Sequence, residues 1–465
     1  MNIQIGEKNY FLEIILYWGS DKTDIGKTDN RDKTLVILKS QNIRQLDIVS
    51  TLTTPFFHGS FIYEDTKENS SMSNLIDNLA IYGKISFVRL VGNDNFFTDV
   101  KPYADEFFIE NIFITRIETI DGYCRNTTLL KFSFASEDIL KFNSKIEGVS
   151  TFNKDLLSDS TTESVNTVIR KLFASVNLDN KLDIKSFERN SDIQISYINS
   201  ANDNLTNALE YVYRKTFDDN FIDASNCRYI RILYDHTSGL YKQWSYDDFG
   251  TDKLLHNNNN NSIDSTFDRN NLRVSVGMND SANSRCGLLS IQNSGSSFRD
   301  FGNFGTYKFV DFNYINNEFT TLKHDVIDNF GIVNNSKLVS DHIKKSSILR
   351  GNGKKFKDIV FERIGSSSYN NCSLYDSITN YIFGNSFCRA FGPGNVARRA
   401  GDMIIVSFDE SYRTAYEYMA GEYLITAVDN QIIFSNGSAS FTSIMDLHKP
   451  YMEVEINKRN CIYSK

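Results

Sequence analysis

Histidine, cysteine and carboxylate side chains build most metal centres and many catalytic sites, and here they fall into no recognisable motif. The chain contains six cysteines and six histidines, but neither a C-x-x-C nor an H-E-x-x-H pattern occurs. The cysteines are Cys124, Cys227, Cys286, Cys372, Cys388 and Cys461, and the histidines are His58, His236, His256, His324, His342 and His448. We therefore assign no catalytic, cofactor-binding or metal-binding residue and expect no cofactor.

Glycine-rich loops that cradle phosphates are missing as well. The segment 351–355 (GNGKK) lacks the spacing of a nucleotide-binding loop and the Ser or Thr that would hold magnesium. No G-x-G-x-x-G follows a predicted strand, and no G-x-S-x-G marks a nucleophile elbow. The sequence thus supports neither a nucleotide-dependent enzyme nor a serine hydrolase.

Acidic pairs and aromatic side chains are the remaining candidates for chemistry. The chain has 58 acidic residues, so a pair spaced for glycoside hydrolysis is expected by chance. We interpret Glu64-Asp65 and Asp247-Asp248 as solvated strand ends. Trp18 and Trp244 could stack on sugars, but we interpret both as packed inside strand cores.

Two polar tracts are prominent. Six basic residues lie between positions 344 and 357, which indicates either a solvated loop or a contact with a phosphate backbone or an acidic partner. They are Lys344, Lys345, Arg350, Lys354, Lys355 and Lys357. The segment 251–303 has little apolar periodicity and includes five consecutive asparagines, Asn257 to Asn261, so we expect an exposed insertion there.

Composition indicates a folded protein of several domains. With 465 residues, 40% of them hydrophobic, roughly three domains of about 150 residues are expected. The net charge of −8 argues against general attraction to nucleic acid or anionic lipid. No apolar run approaches the roughly 20 residues of a membrane span, so we expect neither a span nor a signal peptide. The cysteines are then expected to be buried free thiols.

The first 145 residues have the pattern of strands. Phe57, Gly59, Phe61 and Tyr63 alternate with more polar neighbours, and Leu130, Phe132 and Phe134 do the same. Asp121-Gly122 is a strong signal for a hairpin turn. An antiparallel barrel or sandwich is predicted.

The period then changes from two to 3.6. One helix is predicted because apolar residues recur at helical spacing, with Ser160 and Glu163 as its capping box. Its apolar positions are Val165, Val168, Ile169, Leu172, Phe173 and Val176. A second helix carries Leu205, Ala208, Leu209 and Val212, with Ser200 and Asp203 as a looser box.

Strands return in the rest of the chain. A hairpin is predicted from Arg228 to Asp248, turning at 236–239. Near the C-terminus, strands are predicted at Met403–Phe408, Glu422–Phe434 and Met452–Ile456, with Asn436-Gly437 as a turn.

A short internal similarity links the two ends of the chain. Phe113–Glu118 (FITRIE) resembles Leu424–Asp429 (LITAVD) position for position. Six residues of strand-type sequence recur by chance, so either a duplicated module or coincidence explains the match. A true duplication would let three copies build a ring of six similar units.

Several stretches resemble the baseplate central hub protein of contractile-tailed, T-even-type phages, which is related to the N-terminal part of type VI secretion spike proteins. Near the N-terminus these are Ile43–Asp65 (IRQLDIVSTLTTPFFHGSFIYED) and Lys84–Val91 (KISFVRLV). Near the C-terminus they are Arg399–Val406, Ala420–Ile425 and Ser443–Leu447. The insertion at 251–303 departs from the family pattern. No hexapeptide β-helix or lysozyme-like segment follows, so the spike would be a separate protein.

The resemblance and the changes of period imply a mainly β fold with an α+β middle region. Two tube-like antiparallel β-barrel domains would carry inserted mixed domains. The predicted parts are 1–146 as the N-terminal barrel and 147–230 as a mixed α/β domain. Residues 231–384 would be a strand and loop region that completes the second barrel, and residues 385–465 the C-terminal barrel segment.

What the resemblance implies for function is structural, with no enzyme activity. The chain would form a homotrimer whose six barrels make a pseudo-six-fold ring between the tail tube and the central spike. Its partners would be the tail tube protein, the central spike protein, the tape measure protein and, in the lumen, DNA. It would be located in the tail baseplate of the virion after assembly in the host cytoplasm.

Three alternatives remain open at this point. The first is a tail-associated cell-wall hydrolase that uses two carboxylates. The second is a carbohydrate-binding or adhesin-like β protein that uses exposed aromatic side chains. The third is the spike of a bacterial injection machine rather than part of a virion.

Overall fold

The computed structural model is mainly antiparallel β, as predicted. It describes residues 2–5, 8–18, 34–38, 40–66, 80–90, 102–120, 127–146, 149, 162–187, 193–195, 203–218, 229–245, 271–274, 285–291, 306–313, 318–325, 360–364, 379, 388–396, 398–408, 421–435 and 438–448. The largest element is a 14-stranded sheet that contains strands from both ends of the chain.

Eight strands come from the first 136 residues: β1 (Asn2–Ile5), β2 (Lys8–Trp18), β3 (Thr34–Leu38), β4 (Ile43–Thr51), β5 (His58–Thr66), β6 (Tyr82–Leu90), β7 (Pro102–Ile120) and β8 (Thr127–Ser136). Two short strands accompany the helices: β9 (Glu163–Ser164) and β10 (Gln194–Ile195). A separate hairpin follows: β11 (Ile230–Asp235) and β12 (Leu240–Ser245).

The remaining strands are β13 (Asn271–Val274), β14 (Arg285–Ile291), β15 (Thr306–Asn313), β16 (Glu318–Asp325), β17 (Val360–Ile364), β18 (Cys388–Pro393), β19 (Met403–Phe408), β20 (Gly421–Ser435) and β21 (Ser438–His448). The described residues include four helices in the middle of the chain: α1 (Ile139–Phe142), α2 (Val165–Ser175), α3 (Ile184–Phe187) and α4 (Leu205–Asp218). Short 3₁₀ turns occupy Ser40–Asn42 and Asp179–Lys181.

Strands β1 to β8 form a curled sheet that we call the N-terminal half-barrel. Its strand order is β1-β2-β6-β7-β8-β5-β4, with β3 on β2, and all these pairings are antiparallel. The predicted alternation is confirmed, because Phe61, Tyr63, Phe132 and Phe134 are buried on the inner face. The rings of Phe61 and Phe132 stack with centroids 4.8 Å apart.

The second part of the large sheet closes on itself, and we call it the C-terminal ring. Its order is β20-β19-β13-β14-β18-β21, and β21 pairs back with β20. Buried side chains inside it include Ile404, Ile425, Val428 and Met445. The strand predicted at Met403–Phe408 is confirmed in full, and the one at Glu422–Phe434 is one residue longer at each end.

The long hairpin β20–β21 belongs to both halves of the sheet. Its base completes the C-terminal ring, and beyond residue 426 β20 pairs with β4 of the N-terminal half-barrel, from Ala427↔Thr51 to Ile433↔Gln45. Near the tip, the ring of Phe441 meets Tyr10 and Phe87 edge-on, at centroid distances of 5.8 and 5.3 Å. The hairpin tip therefore fills the core of the N-terminal half-barrel.

The two predicted helices are confirmed as α2 and α4, with every predicted apolar position buried. The predicted capping box at Ser160 and Glu163 is wrong, because Glu163 precedes the helix in β9 and binds Lys171. Ser164 is the N-cap instead, and its hydroxyl accepts from the amide of Thr167.

Helix α4 is capped in a similar way. Asn204 accepts from the amide of Asn207 at 2.9 Å, so the cap is Asn204 rather than the predicted Ser200–Asp203 pair. Ser200 itself lies outside the described residues.

The hairpin β11–β12 confirms the strand pair predicted for Arg228 to Asp248 and ties three regions together. The amide of Tyr234 donates to Pro55 in the half-barrel, and the amide of Asp183 in the helical region donates to Tyr241. The indole of Trp244 donates to the carbonyl of Gly401 at 3.1 Å, next to the C-terminal ring.

Several sequence predictions fall outside the described residues. They are the turns at Asp121-Gly122 and Asn436-Gly437, the asparagine run, the basic segment 344–357 and the strand Met452–Ile456. The exposed insertion predicted over 251–303 is wrong in part, because β13 and β14 lie within it and pair with β19 and β18 of the large sheet. The proposed domain limits at 146, 230 and 384 stay a prediction.

Replacing Phe441 with alanine should destabilise the fold by about 3 to 5 kcal/mol, the usual cost of removing a buried phenylalanine. Urea denaturation would measure the loss. Ser440→Ala is the matched control, because Ser440 is the exposed neighbour on the same strand. Equal stability of the two variants would show that the hairpin tip is not anchored in the half-barrel.

Candidate functional site

The seam where β20 meets β4 is the candidate functional site, because it joins the two halves into one continuous wall. Val428 belongs to the core of the C-terminal ring, and Ile432, on the same face of β20, belongs to the core of the half-barrel. Both cores therefore lie on one side of the hairpin. The opposite face is shared by β18, β21, β20, β4, β5 and β8 and is continuous across the seam.

A buried polar pair separates the two cores. The hydroxyl of Ser443 donates to the side-chain oxygen of Asn430 at 2.6 Å, and it accepts from the amide of Asn395. Asn430 is 3% exposed and Ser443 is fully buried, so the pair is a satisfied polar layer within an apolar wall.

The strands on each side of the seam repeat the same arrangement. In the half-barrel the order is β6-β7-β8-β5-β4, and in the ring it is β19-β20-β21-β18-β14, with every neighbour antiparallel. The register agrees as well, because Tyr82 faces Phe113 where Met403 faces Leu424. The similar segments Phe113–Glu118 and Leu424–Asp429 thus occupy equivalent positions, which confirms a structural repeat over coincidence.

The repeat extends to a β-bulge on the shared threonine. The register shifts between Ile114 and Arg116 in β7, and between Ile425 and Ala427 in β20. In each case the hydroxyl of the threonine in between donates to a carbonyl of the partner strand at 3.1 Å. In both hairpins the accepting carbonyl belongs to the residue that pairs with the first residue after the bulge. A bulge bends its strand and raises the local twist, so both hairpins curve at the same point.

Backbone contacts before the bulge repeat too. The amide of Ile114 donates to Ile81 at 3.0 Å, and the amide of Ile425 donates to Asp402 at 2.9 Å. Sequence reasoning found the repeated hexapeptide but not the bulge, since a bulge is set by the partner strand.

The shared outer face is lined mainly by half-buried polar residues and ion pairs. Arg389 binds Asp446 at 2.7 Å, and on the adjoining strand β7 Arg116 binds Glu118 at 2.6 Å. Arg44 binds Glu64, so Glu64 is an ion-paired residue rather than the solvated strand end predicted from sequence. Exposed pairs of this kind add little stability, and each pair is neutral in total charge.

Two carboxylates lie close to the seam on this face. Asp47 accepts from the side-chain amide of Gln45 and from the hydroxyl of Ser60. Burial, and then the nearby charge of Asp47, raises the pKa of Asp429 to about 6. Asp429 remains charged at neutral pH, so the middle of the wall carries negative charge.

A second buried polar group holds the hairpin β11–β12 in the half-barrel. Glu110 lies on the inner face of β7 between the buried residues Phe108 and Ile112, and the Tyr234 hydroxyl is 3.0 Å from both of its oxygens. Burial raises the pKa of Glu110 to about 8 although Tyr234 and Lys181 oppose the shift. A carboxyl of this kind stays protonated near neutral pH unless the hairpin leaves.

The same end of the hairpin β11–β12 is also held by charge, at the residue after Tyr234. Arg399 and Lys242 both bind Asp235, and Arg399 also contacts Asp402 at the start of the ring. Burial alone would raise the pKa of Asp235, but the two cations hold it below its ordinary value. Gly401, at a φ of 91°, leaves room for Leu233 and Trp244 beside it.

The structure places the other residues singled out from sequence apart from one another. Trp244 is buried and hydrogen-bonded, which confirms core packing over sugar stacking. Cys388 is buried and forms no disulfide, as predicted. Asp65 is half-buried with a raised pKa caused by burial, whereas Asp247-Asp248 and the side chain of Trp18 lie outside the described residues.

The clefts beside the seam are narrow. One of about 450 Å³, open solvent included, lies between Pro55, Phe57, Tyr234 and the Arg398-Arg399 pair. Over the described part of the chain, no three metal-ligating side chains converge, and no helix is long and apolar enough to cross a membrane.

Replacing Glu110 with glutamine should flatten the pH dependence of stability. The folded wild type holds this proton more tightly than the unfolded chain, so its contribution is complete below pH about 4.5 and is lost as the pH rises through about 8. At pH 9 the variant should be more stable than the wild type by up to about 5 kcal/mol, because the pKa rises from 4.5 to about 8 on folding and one pKa unit is about 1.4 kcal/mol. Denaturant titrations at several pH values would measure this.

Glu118→Gln is the control on the same strand, because Glu118 lies on the outer face in an ion pair. It should leave the pH slope as in the wild type. A slope unchanged in Glu110→Gln would disprove the role of Glu110.

No protein-family model matches the chain, and no curated protein does. Among solved structures, the tail protein from Neisseria meningitidis MC58 is 10% identical with a TM-score of 0.46, over 95% of this chain and 96% of that one. The 43 kDa tail protein of prophage MuSo2 from Shewanella oneidensis is 9% identical with a TM-score of 0.47, over 94% and 98%. A chain of the Francisella PdpA-VgrG complex is 12% identical with a TM-score of 0.46, over 95% and 58%. The chain is thus similar to phage tail proteins and to a VgrG complex.

Proposed function

We propose that the chain is a structural protein of a contractile tail, the baseplate central hub, and that three copies form a pseudo-six-fold ring. The ring would join the six-fold tail tube to the three-fold central spike. The observation that carries this proposal is the structural repeat, in which β7–β8 and β20–β21 share strand order, register and bulge. One chain thereby presents two similar units side by side.

The seam supplies the geometric argument. A ring that changes symmetry from three to six needs two similar faces in each subunit, aligned on the same side. Here both cores lie on one side of β20–β21, and the opposite face crosses the seam without a break. This shared face is the natural lining of a channel.

The chemistry of the face fits passage of a polymer rather than catalysis. Its charged side chains are largely paired, and the carboxylates Asp47 and Asp429 lie near its centre. Negative charge in a channel repels DNA and prevents sticking. The tape measure protein and later DNA would pass here, between the tail tube protein and the central spike protein, and the function would be mechanical rather than enzymatic.

The proposal predicts that the purified chain associates into an object of three times its 53.2 kDa mass at micromolar concentration. Light scattering would give the mass, and electron microscopy should show six similar lobes around a central opening. Obligate interfaces of this kind bury more than about 2,000 Å² in total, so the object should survive dilution. A stable monomer, or a trimer without a central opening, would refute the hub function.

A further inference from the structure

Within the described residues, the structural repeat leaves one strand edge unpaired where the equivalent edge in the C-terminal ring is paired. In the ring, the part of β20 after the bulge pairs with β21 on one side and with β4 on the other. In the half-barrel, the equivalent segment Arg116–Ile120 of β7 pairs with β8 on one side. On its other side β7 pairs with β6 only as far as Phe113, which lies opposite Tyr82. No described strand continues beside Arg116–Ile120.

The strand equivalent to β4 also has an open edge. Strand β4 pairs with β5 as β14 pairs with β18. When the two halves are superposed by strand register, Ile48 corresponds to Ile291 and Asp47 to Ser290, so β14 is the equivalent of β4 in the ring. Strand β13 covers β14 only at Arg285 and Cys286. From Gly287 to Ile291, β14 has β18 as its only partner in the described part of the chain.

We infer that the end of the open segment of β7, Thr119-Ile120, pairs antiparallel in one copy with the end of β14, Ser290-Ile291, in the next copy, in the register that β20 and β4 use within the chain. Asn430 faces Ile48 and Gln431 faces Asp47 at the seam. The equivalent pairs between copies are Thr119 with Ile291 and Ile120 with Ser290. This inference rests on the hub function proposed above and names the surface that makes the trimer.

The contact closes because each copy carries one edge of each kind. A head-to-tail contact forms a ring when its rotation closes and a filament when it does not. The rotation between neighbouring barrels must be the same at the seam within a chain and at the contact between chains. Three copies then close into a ring of six barrels. The wall of β7, β8, β5 and β4 then continues into β20, β21, β18 and β14 around the whole ring.

The character of the β7 edge fits coverage by another strand. Thr119 is exposed, and the Arg116 side chain is 71% exposed, which agrees with a strand segment that pairs on one side only. An edge strand without a partner presents free amide and carbonyl groups and invites pairing. Pairing with a second copy satisfies these groups without altering the closed parts of either sheet.

Cysteine cross-linking tests the register. Directly opposed residues in antiparallel strands have Cα atoms about 4.5 to 5.5 Å apart, within the range that a disulfide spans. Thr119→Cys with Ile291→Cys, and separately Ile120→Cys with Ser290→Cys, should give disulfide-linked dimers and trimers on a non-reducing gel. The second pair keeps the test valid if Ile291→Cys impairs folding.

Crossed pairs are the matched controls. Thr119→Cys with Ser290→Cys, and Ile120→Cys with Ile291→Cys, place the thiols on opposite faces of the strands, so they should cross-link far less. The wild-type chain and each single variant report any linkage from the native cysteines. Selective linkage of the two matched pairs, by at least about tenfold over the crossed pairs, is the expected result.

Three results would overturn the inference. Trimers in which matched and crossed pairs react alike, or not at all, would reject the register and leave the hub function standing. A disulfide formed within one chain, visible as a mobility shift without added mass, would show that the edge is covered by the chain itself. A chain that stays monomeric by light scattering would reject the hub function and this contact together.

Discussion

Everything in this architecture depends on one hairpin that serves two cores. Because β20 carries an extra residue at Thr426, the side chains that face inward change from odd to even positions along the strand. Tyr423 and Ile425 before the bulge, and Val428 and Ile432 after it, therefore all face the same side. Without the bulge, the β20 side chains that complete one of the two cores would lie on the opposite face of the sheet.

The same bulge in β7 explains why the two halves resemble each other more in geometry than in sequence. A threonine hydroxyl satisfies a carbonyl of the partner strand at each bulge, so the local bend has its own hydrogen bond. The flanking apolar residues need only be similar in size and pattern. Two hairpins built on one design can then present similar edges and faces, which is what a ring with mixed symmetry requires.

Buried polar groups hold the hairpin β11–β12 to this wall. Two pairs, Glu110 with Tyr234 and Asp235 with Arg399, bury polar or charged groups. An apolar contact at either place would have a smaller desolvation penalty. Such groups demand particular partners at particular positions, because an unpaired buried polar atom is costly. The relative placement of the regions is thus specified by hydrogen bonds and charge in addition to packing.

The sequence by itself determined the local structure: the alternating strands around Phe61 and Phe132, the two amphipathic helices, the hairpin near Tyr234 and the repeated hexapeptide. These signals are local, since side-chain period and turn chemistry act over a few residues. Only the tertiary structure decided that β20 pairs with β4 across more than 370 positions, that Glu110 enters a core, and that Ser164 rather than Ser160 caps a helix. Pairing partners, bulges and burial depend on which distant segments meet, and no local propensity encodes that choice.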